Sequence, residues 1–408
     1  MFSQKLFAST MFTGFCEFLS KGASWLRLFL LSFLVPIDYF GEVTIIIGLI
    51  VLFSGLISFP VNMELITEHH SNYIPFVQAV VIFLLMLPMY YGLTLYRTLE
   101  FKDILNILLS SFFLSMNQVM YYFLRVHNIR ILNITKIVSS LMGLILFLSL
   151  VPISRSFIFL PFFASFLVTL VPVSIFKPVS PYYGLRSCIK KSVVAGWCIF
   201  GAQALAQGFS QNGLRVIIGE YLSIEAVGIF TKTYLIASCV FFIFSAVMIK
   251  YESTLAKKAD SAGFLLKFRP AFSIAILLTI FVAIFAVILI HLSLYFSNNY
   301  YVNLLFWNTD KFLLKLLFIY LGLSSVRHAV FPLLLSRGKR GATTWAVIVS
   351  VTAQLGFILM VGAMSKLSII YCGWSFIIAE GVAVVYMSTV LFLEYSKAKN
   401  KLRLGLFT

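Results

Sequence analysis

Two stretches of the chain, IDYFGEVT at residues 37–44 and IEAVGIFT at residues 224–231, follow one pattern. Each has an acidic residue at its second position, a glycine at its fifth and a threonine at its eighth, and each leads into an apolar run. Counted along the chain, the first stretch leads into the second apolar run and the second stretch leads into the eighth, six runs later. Gly41 and Gly228 therefore occupy equivalent places in the chain. The pattern therefore predicts two halves of six helices with the same orientation, related by an axis along the membrane normal.

The composition predicts an integral membrane protein. Of the 408 residues, 61% are hydrophobic and only 11% are charged, whereas a soluble domain carries roughly a quarter charged residues. Apolar runs recur from end to end, and no polar stretch is long enough to fold alone. The predicted fold class is all-α, a polytopic membrane protein without an extramembrane catalytic module.

A helix needs roughly 20 apolar residues to cross the hydrocarbon core of a bilayer. With that length, about twelve transmembrane helices are predicted. They cover residues 10–35, 43–62, 74–96, 104–124, 137–152, 157–176, 192–218, 226–250, 270–293, 312–335, 343–364 and 368–393. We expect an N-terminal half at residues 1–176, a basic cytoplasmic linker at 177–191, and a C-terminal half with a basic tail at 192–408.

The distribution of basic residues predicts the orientation. If the N-terminus is cytoplasmic, about 20 of the 31 Lys and Arg residues fall on the cytoplasmic side and about five fall outside, as the positive-inside rule requires. Both termini are then cytoplasmic. The net charge of +17 reflects this bias, and no basic stretch is interleaved with exposed aromatics as in a nucleic-acid groove. Glu17 and Lys21 interrupt the first apolar segment, so we expect a retained helix rather than a cleaved signal peptide.

The first span carries a polar stripe on one helical face. At 100° per residue, seven residues fall within an arc of roughly 120°: Thr10, Thr13, Glu17, Ser20, Lys21, Ser24 and Arg27. Charged groups in a span cost at least a few kcal/mol at the bilayer centre, so they usually face a water-filled cavity. The stripe is therefore predicted to line such a cavity. The alternatives are polar contact between helices and snorkelling of Arg27 to the outer interface.

The seventh span has a similar stripe, formed by Gln203, Gln207, Ser210, Gln211 and Arg215. When the two halves are aligned on Gly41 and Gly228, Arg215 corresponds to Leu28, the neighbour of Arg27. Arginine suits a phosphate group because its planar fork binds two oxygens at once. The alternative role of Arg215 is an interfacial anchor at a helix end.

Lys232 and two acidic residues complete the candidates. Lys232 is placed either in the cavity or at the outer interface. Glu17 and Glu380 are the candidates for coupling to an ion, although a hydrogen-bonded structural carboxyl explains Glu380 equally well. The predicted substrate-binding residues are Lys21, Ser24, Arg27, Gln203, Gln207, Gln211, Arg215 and Lys232. No metal site or cofactor is predicted, because the five cysteines are dispersed and no nucleotide-binding motif occurs.

Four segments carry a resemblance to a known family. They are residues 27–57 with the turn PIDYFG at 36–41, residues 215–251 with IEAVGIF at 224–230, FLR at 123–125, and LSRGK at 335–339. In these segments the chain resembles the polysaccharide transporter branch, the Wzx-type O-antigen flippases, of the multidrug/oligosaccharidyl-lipid/polysaccharide (MOP) exporter superfamily. The resemblance covers nearly the whole chain.

This resemblance implies a non-enzymatic transporter of the bacterial inner membrane. Such proteins move undecaprenyl-diphosphate-linked oligosaccharides, the O-antigen repeat units of lipopolysaccharide, to the periplasmic leaflet by alternating access. The implied partners are the lipid-linked oligosaccharide, membrane lipids, a counter-ion such as H⁺ or Na⁺, and the polymerase and chain-length regulator of the same glycan pathway. The embedded cations agree with an anionic passenger.

Two other functional classes remain as alternatives. A multidrug or cation antiporter of the same superfamily would favour carboxylates in its cavity, whereas the stripes here carry more Lys and Arg. A membrane-embedded polysaccharide polymerase or glycosyltransferase needs long outer loops for its catalytic groups. The longest predicted outer loop, residues 293–311, contains Asp310 as its one acidic residue.

The twelve-helix topology is testable with reporter fusions. Fusions after Thr135 and after Gly338 should report the cytoplasm, and a fusion after Asn299 should report the periplasm, because the loops alternate in sidedness. Enzymatic reporters that are active on one side of the membrane measure this directly. A periplasmic signal at Gly338 would contradict the predicted topology.

Overall fold

A computed structural model describes residues 2–68, 74–93, 99–175, 201, 205–206, 208–239, 260–295, 306, 308–364 and 367–403. Every regular element in these ranges is helical, which confirms the predicted fold class. The chain divides into two compact units, Met1–Gly219 and Glu220–Thr408. The predicted linker at 177–191 lies outside the described residues and remains a prediction.

The first unit contains the helices of the first six predicted spans and part of the seventh. They are α1 Phe2–Leu34, α2 Ile37–Glu68, α3 Ile74–Leu85, α4 Leu87–Gly92, α5 Phe101–His127, α6 Ile129–Leu150, α7 Phe159–Ile175, a π-helix at Phe209–Gly213 and the start of α8 Leu214–Tyr221. The third span is divided at Met86, where Pro88 of α4 cannot donate a backbone hydrogen bond to the preceding turn.

In the second unit, the described residues form five further helices. They are α9 Ile224–Ser238, α10 Ser261–Tyr295, α11 Lys311–Ser336, α12 Arg340–Ala363 and α13 Ile369–Arg403. Within the described part of the chain, eight helices are long and apolar enough to cross a membrane. Their positions agree with the predicted spans to within a few residues, except at the fifth span and at the ends of α10 and α13, which extend further.

The fifth span differs most from its prediction. Helix α6 begins at Ile129 rather than near residue 137, because Asn128 caps it: its Oδ1 accepts hydrogen bonds from the backbone N–H groups of Arg130 and Ile131 at 3.1 and 3.2 Å. The basic residues therefore lie inside the helix. Lys136 places its ammonium 5.5 Å from the ring centroid of Tyr121.

The two repeated stretches begin equivalent helices. Ile37 is the first residue of α2, and Ile224 is the first residue of α9. Over eight positions the order of exposed, half-buried and buried residues is the same, with the acidic residue exposed in the first turn and the glycine and threonine buried. A shared pattern of burial requires the same packing environment, which supports a structural repeat.

Helices separated by one span pack in parallel. In the second unit, a Cβ on Gly373 of α13 would meet Leu313 of α11 at 2.7 Å, and further along the ring centroids of Tyr320 and Phe376 are 5.0 Å apart. In the first unit, Phe113 of α5 contacts aromatic rings of α7. Contacts that advance in the same direction along both helices agree with the alternating topology.

An ionic cluster holds one end of the first unit together. Arg155, in the turn between α6 and α7, pairs with Glu42 of α2, with Glu100 at 3.2 Å, and with Asp103 of α5 at 3.2 Å. Glu100 and Asp103 also form the capping box of α5. A hydrogen bond and the charge of Lys102 lower the pKa of the Glu100 carboxyl. One guanidinium thus joins three parts of the unit.

Replacing Arg155 should destabilise the protein. Arg155→Gln leaves the fully buried Asp103 without its cation, and an unpaired buried charge costs about 3–5 kcal/mol. Thermal unfolding of the detergent-solubilised protein measures the loss. The matched control is Lys102→Gln, because Lys102 pairs with Glu100 at the exposed surface, where an ion pair is worth about 0–1 kcal/mol. Equal melting temperatures for the two variants would contradict the assigned role of Arg155.

Candidate functional site

The polar stripe of α1 divides into two edges. On one edge, the Ser20 hydroxyl lies 2.7 Å from that of Ser140 in α6, and the Arg27 guanidinium lies over aromatic rings of α6 and α7. On the other edge, Lys21 and Ser24 are exposed. The first edge therefore makes contact between helices, which was one of the alternatives, and the second edge is open. The side chain of Glu17 lies outside the described residues.

Arg27 is held by aromatic rings rather than by acidic residues. Its guanidinium carbon is 5.6 Å from the ring centroid of Phe147 and 5.4 Å from that of Phe162. Such contacts stabilise a cation modestly and leave its hydrogen-bond donors available. In the described part of the chain, the buried Nε of Arg27 has no hydrogen-bond partner and no carboxylate forms an ion pair with it. The arrangement suits an external oxyanion.

Arg215 follows the π-helix at Phe209–Gly213. A π-helix within an α-helix often occurs at a functional site. Arg215 is buried, and its Cδ is 3.8 Å from the position that a Cβ on Gly48 of α2 would occupy. A Cβ on Gly208 would come 2.7 Å from Leu52. Gly208 therefore allows its segment to approach α2 closely, whereas a Cβ on Gly48 would make ordinary van der Waals contact.

The described part of the seventh span lies in the first compact unit. In this unit, Arg27 contacts α6 and α7, whereas Arg215 contacts α2. Ser210 is half-buried. Gln203, Gln207 and the side chain of Gln211 lie outside the described residues, so their binding role remains a prediction.

Lys232 lies well inside α9 rather than at its end. It is 2% exposed, and the neighbouring Thr231 and Thr233 are fully buried. Burial removes most of the Lys232 side chain from water. Its positive charge must therefore be stabilised by groups of the protein or by a ligand. The structure places Lys232 in the interior of the second unit.

Glu380 forms an ion pair that the sequence did not reveal. Its Oε1 lies 2.5 Å from Nε of Arg327 in α11. On α11, Tyr320 lies about one turn before Ser324 and two turns before Arg327. The ring of Tyr320 packs in an aromatic cluster with Phe376 and Tyr234. The available signal was the spacing, since residues 320, 324 and 327 share one face of α11 and residues 376 and 380 share one face of α13.

A second ionic cluster lies at the other end of the same helices. Glu394 of α13 pairs with Lys339 at 3.2 Å, Lys397 at 3.4 Å and Arg337 at 3.7 Å. Residues 337–339 form the turn between α11 and α12, in the interval between the predicted spans 312–335 and 343–364, and Gly338 takes a positive φ of 71° there. The cluster connects this turn to the end of α13.

The described residues contain no group of three His, Cys, Asp or Glu side chains that could hold a metal ion. Cys16 and Cys372 are buried within helices, as expected for small apolar residues. The chemistry of the described site therefore consists of embedded cations, hydroxyls and one buried carboxylate.

Comparison with known proteins identifies the fold. No protein-family model and no curated protein sequence matches the chain. An inward-facing multidrug resistance MATE family transporter of the MOP superfamily matches with a TM-score of 0.56 at 12% identity, over 96% of this chain and 95% of its own. The MATE multidrug transporter DinF-BH, in a ligand complex, matches with a TM-score of 0.60 at 15% identity, over 96% of both chains. The protein thus has the helical fold of the MATE transporters of the MOP superfamily and is a multi-pass membrane protein.

Proposed function

We propose that the protein is a flippase for undecaprenyl-diphosphate-linked oligosaccharide, the O-antigen repeat unit, in the bacterial inner membrane. The observation that carries this proposal is Arg27, an embedded guanidinium with aromatic neighbours and, in the described part of α1–α7, no acidic partner. A diphosphate supplies the missing negative charge, and its oxygens match the arginine fork. Lys21 on the open edge of α1 adds positive charge near the same helix face.

The chemistry of the passenger suggests how it crosses. Its headgroup is polar and charged, whereas each methylene of its tail is worth about 0.8 kcal/mol when buried in an apolar environment. We therefore propose that the headgroup crosses through a polar cavity while the tail remains in the bilayer. Alternating access would come from rocking of residues 1–176 against residues 192–394, as in other transporters built from repeats.

A multidrug or cation antiporter is the second candidate. The matched structures are described as multidrug transporters, and the buried Glu380 is a carboxylate of the kind that couples to protons or binds cations. The fold agrees with both candidates, because one fold hosts different passengers and the site residues decide between them. The excess of embedded cations favours an anionic passenger.

Deletion of the gene tests the proposed passenger. In the deletion strain, lipid-linked repeat units should accumulate in the cytoplasmic leaflet, because their synthesis continues while export stops, and surface glycan should be lost. Extraction of lipid-linked oligosaccharides and staining of surface polysaccharide measure both effects. Unchanged surface glycan, together with increased sensitivity to cationic drugs, would favour the antiporter and reject the flippase.

Substitution of the two arginines tests the proposed site. Arg27→Ala and Arg215→Ala should each lower export of surface glycan by roughly tenfold to a hundredfold, since a hydrogen bond to a charged group is worth about 1.5–3 kcal/mol. Arg27→Lys and Arg215→Lys should export more surface glycan than the alanine variants but less than the wild type, because lysine lacks the planar fork of arginine.

The control for these variants is Arg269→Ala, which removes an exposed arginine near the start of α10 and should leave export unchanged. Protein levels in the membrane are measured in parallel, so that loss of folding is recognised. Full export in the double variant of Arg27 and Arg215 would reject the two residues as the diphosphate site.

A further inference from the structure

Arg327 and Glu380 form an ion pair between two membrane-spanning helices. Arg327 is the seventeenth of the 26 residues of α11, and Glu380 is the twelfth of the 35 residues of α13. Nε of Arg327 is 2.5 Å from Oε1 of Glu380. The side chain of Glu380 is only 7% exposed, whereas that of Arg327 is 17% exposed. The arginine is therefore the more accessible partner of the pair.

The pair uses only part of the hydrogen-bonding capacity of Arg327. A guanidinium has five N–H groups, and the short contact involves Nε alone. Within the described part of the chain, Glu380 is the one carboxylate that pairs with Arg327, and neither Nη atom is hydrogen-bonded to the protein. The outer fork of the guanidinium thus remains available to a ligand with several oxygens.

The helical fold itself does not require this ion pair. In the first unit, the corresponding fourth and sixth spans, α5 and α7, pack through Phe113, Phe163 and Phe166 with ring centroids 5.0 and 5.4 Å apart. A buried ion pair is often no more stable than apolar residues of similar volume. The presence of Arg327 and Glu380 in one half therefore indicates a function other than packing.

The surroundings contain no second carboxylate, among the described residues, to replace Glu380. On α11 itself the titratable neighbours are Tyr320 and His328. Helix α9 contributes Lys232 and Tyr234, and Tyr320 is hydrogen-bonded to Tyr234. Helices α10 and α12 also pack against this pair of helices, and their charged or titratable residues are Lys267, Arg269, His291 and Arg340, all within about two turns or fewer of a helix end. Among the described residues, Glu380 is therefore the one carboxylate beside Arg327, and a ligand anion is the partner that could replace it.

We propose that Arg327 is a second binding site for a phosphate-type anion and that Glu380 is its resident counter-ion. When the anion arrives, Glu380 takes up a proton from water, and the anion replaces the carboxylate at the guanidinium. The guanidinium then has an anionic partner in both states, and protonation of Glu380 removes the carboxylate charge that would repel the anion. This inference rests on the proposed function only for the source of the anion, which would be the diphosphate of the passenger.

The helix geometry allows Arg327 to move between the two partners. Pro332 lacks the backbone N–H that would bind the carbonyl of His328, one residue after Arg327, so the helix is weakened at that turn. This weakened turn lies more than one helical turn from Tyr320, whose ring packs against Phe376.

Binding of inorganic pyrophosphate tests the proposal. The full chain is placed in nanodiscs of phosphatidylcholine, and affinity is measured by isothermal titration calorimetry. Glu380→Gln removes the competing charge, so pyrophosphate should bind about tenfold more tightly than to the wild type, as expected for a regained charge-assisted bond. The double variant Arg327→Gln, Glu380→Gln should lose this gain.

The matched control is Glu225→Gln, which makes the same change in net charge at an exposed residue of α9 and should not change the affinity. Equal affinities of Glu380→Gln and the wild type, or a gain that survives in the double variant, would overturn the proposal. In nanodiscs of phosphatidylglycerol, Glu380→Gln could bind pyrophosphate no more tightly than the wild type does. That result would show that bilayer headgroups occupy Arg327, and it would overturn the assignment of the anion to the passenger.

A second measurement is needed because Glu380→Gln can fail to fold. Sulfate keeps its charge between about pH 5 and about pH 8, whereas a carboxyl group can take up a proton on acidification. The wild type should bind sulfate about tenfold more tightly at the lower pH, and Arg327→Gln, which keeps Glu380 and His328, should show no such change. A flat profile of affinity against pH in the wild type would overturn the proposal.

The deletion strain tests the passenger separately. If lipid-linked repeat units do not accumulate in that strain, the proposed passenger is rejected, while the binding results at Arg327 still stand.

Discussion

The hydrocarbon core of a bilayer offers no hydrogen-bond partner to the backbone, and this constraint determines the rest of the structure. Every crossing segment must have its N–H and C=O groups paired within the protein, and a helix achieves this within the segment itself. Side-chain hydroxyls obey the same requirement. Thr169, Thr279 and Ser325 donate to the carbonyl four residues earlier in their own helices. A serine or threonine in a span is therefore a weak sign of a cavity, and the charged residues carry the functional signal.

The embedded and interfacial arginines differ in how completely they are neutralised. Arg155 meets three carboxylates at the end of the first unit. Arg327 meets one, and in the described part of the chain Arg27 meets none and lies against two aromatic rings. A fully neutralised arginine fixes helices, a half-engaged one can exchange its partner, and one without an acid attracts an anion. The series is the basis on which we propose different roles for chemically identical residues.

Much of the fold could be predicted from the sequence because the membrane imposes a length and a polarity on every crossing segment. The repeated stretches at 37–44 and 224–231 begin equivalent helices, and the glycine-containing turn at 337–339 has the predicted place. The start of α6 was missed because its cap, Asn128, lies outside the apolar run. The partners of Arg155 and Arg327 could not be predicted. Glu42 and Glu380 are each separated from their arginine by at least one whole helix of sequence, so only the packing of helices brings the charges together.

Two ionic clusters at helix ends connect the helices within each unit. Arg155 joins α2, α5 and the α6–α7 turn at one end of the first unit, and Glu394 joins the α11–α12 turn to α13 in the second. Charges near the membrane surface pair more cheaply than charges in its centre, because water remains close enough to stabilise them. The two clusters connect helices within one unit, and each contains a buried carboxylate, Asp103 or Glu394, that its basic partners compensate. These pairs at helix ends engage their charges fully, whereas the pair of Arg327 with Glu380 lies within the spans and is the one for which we propose an exchange of partners.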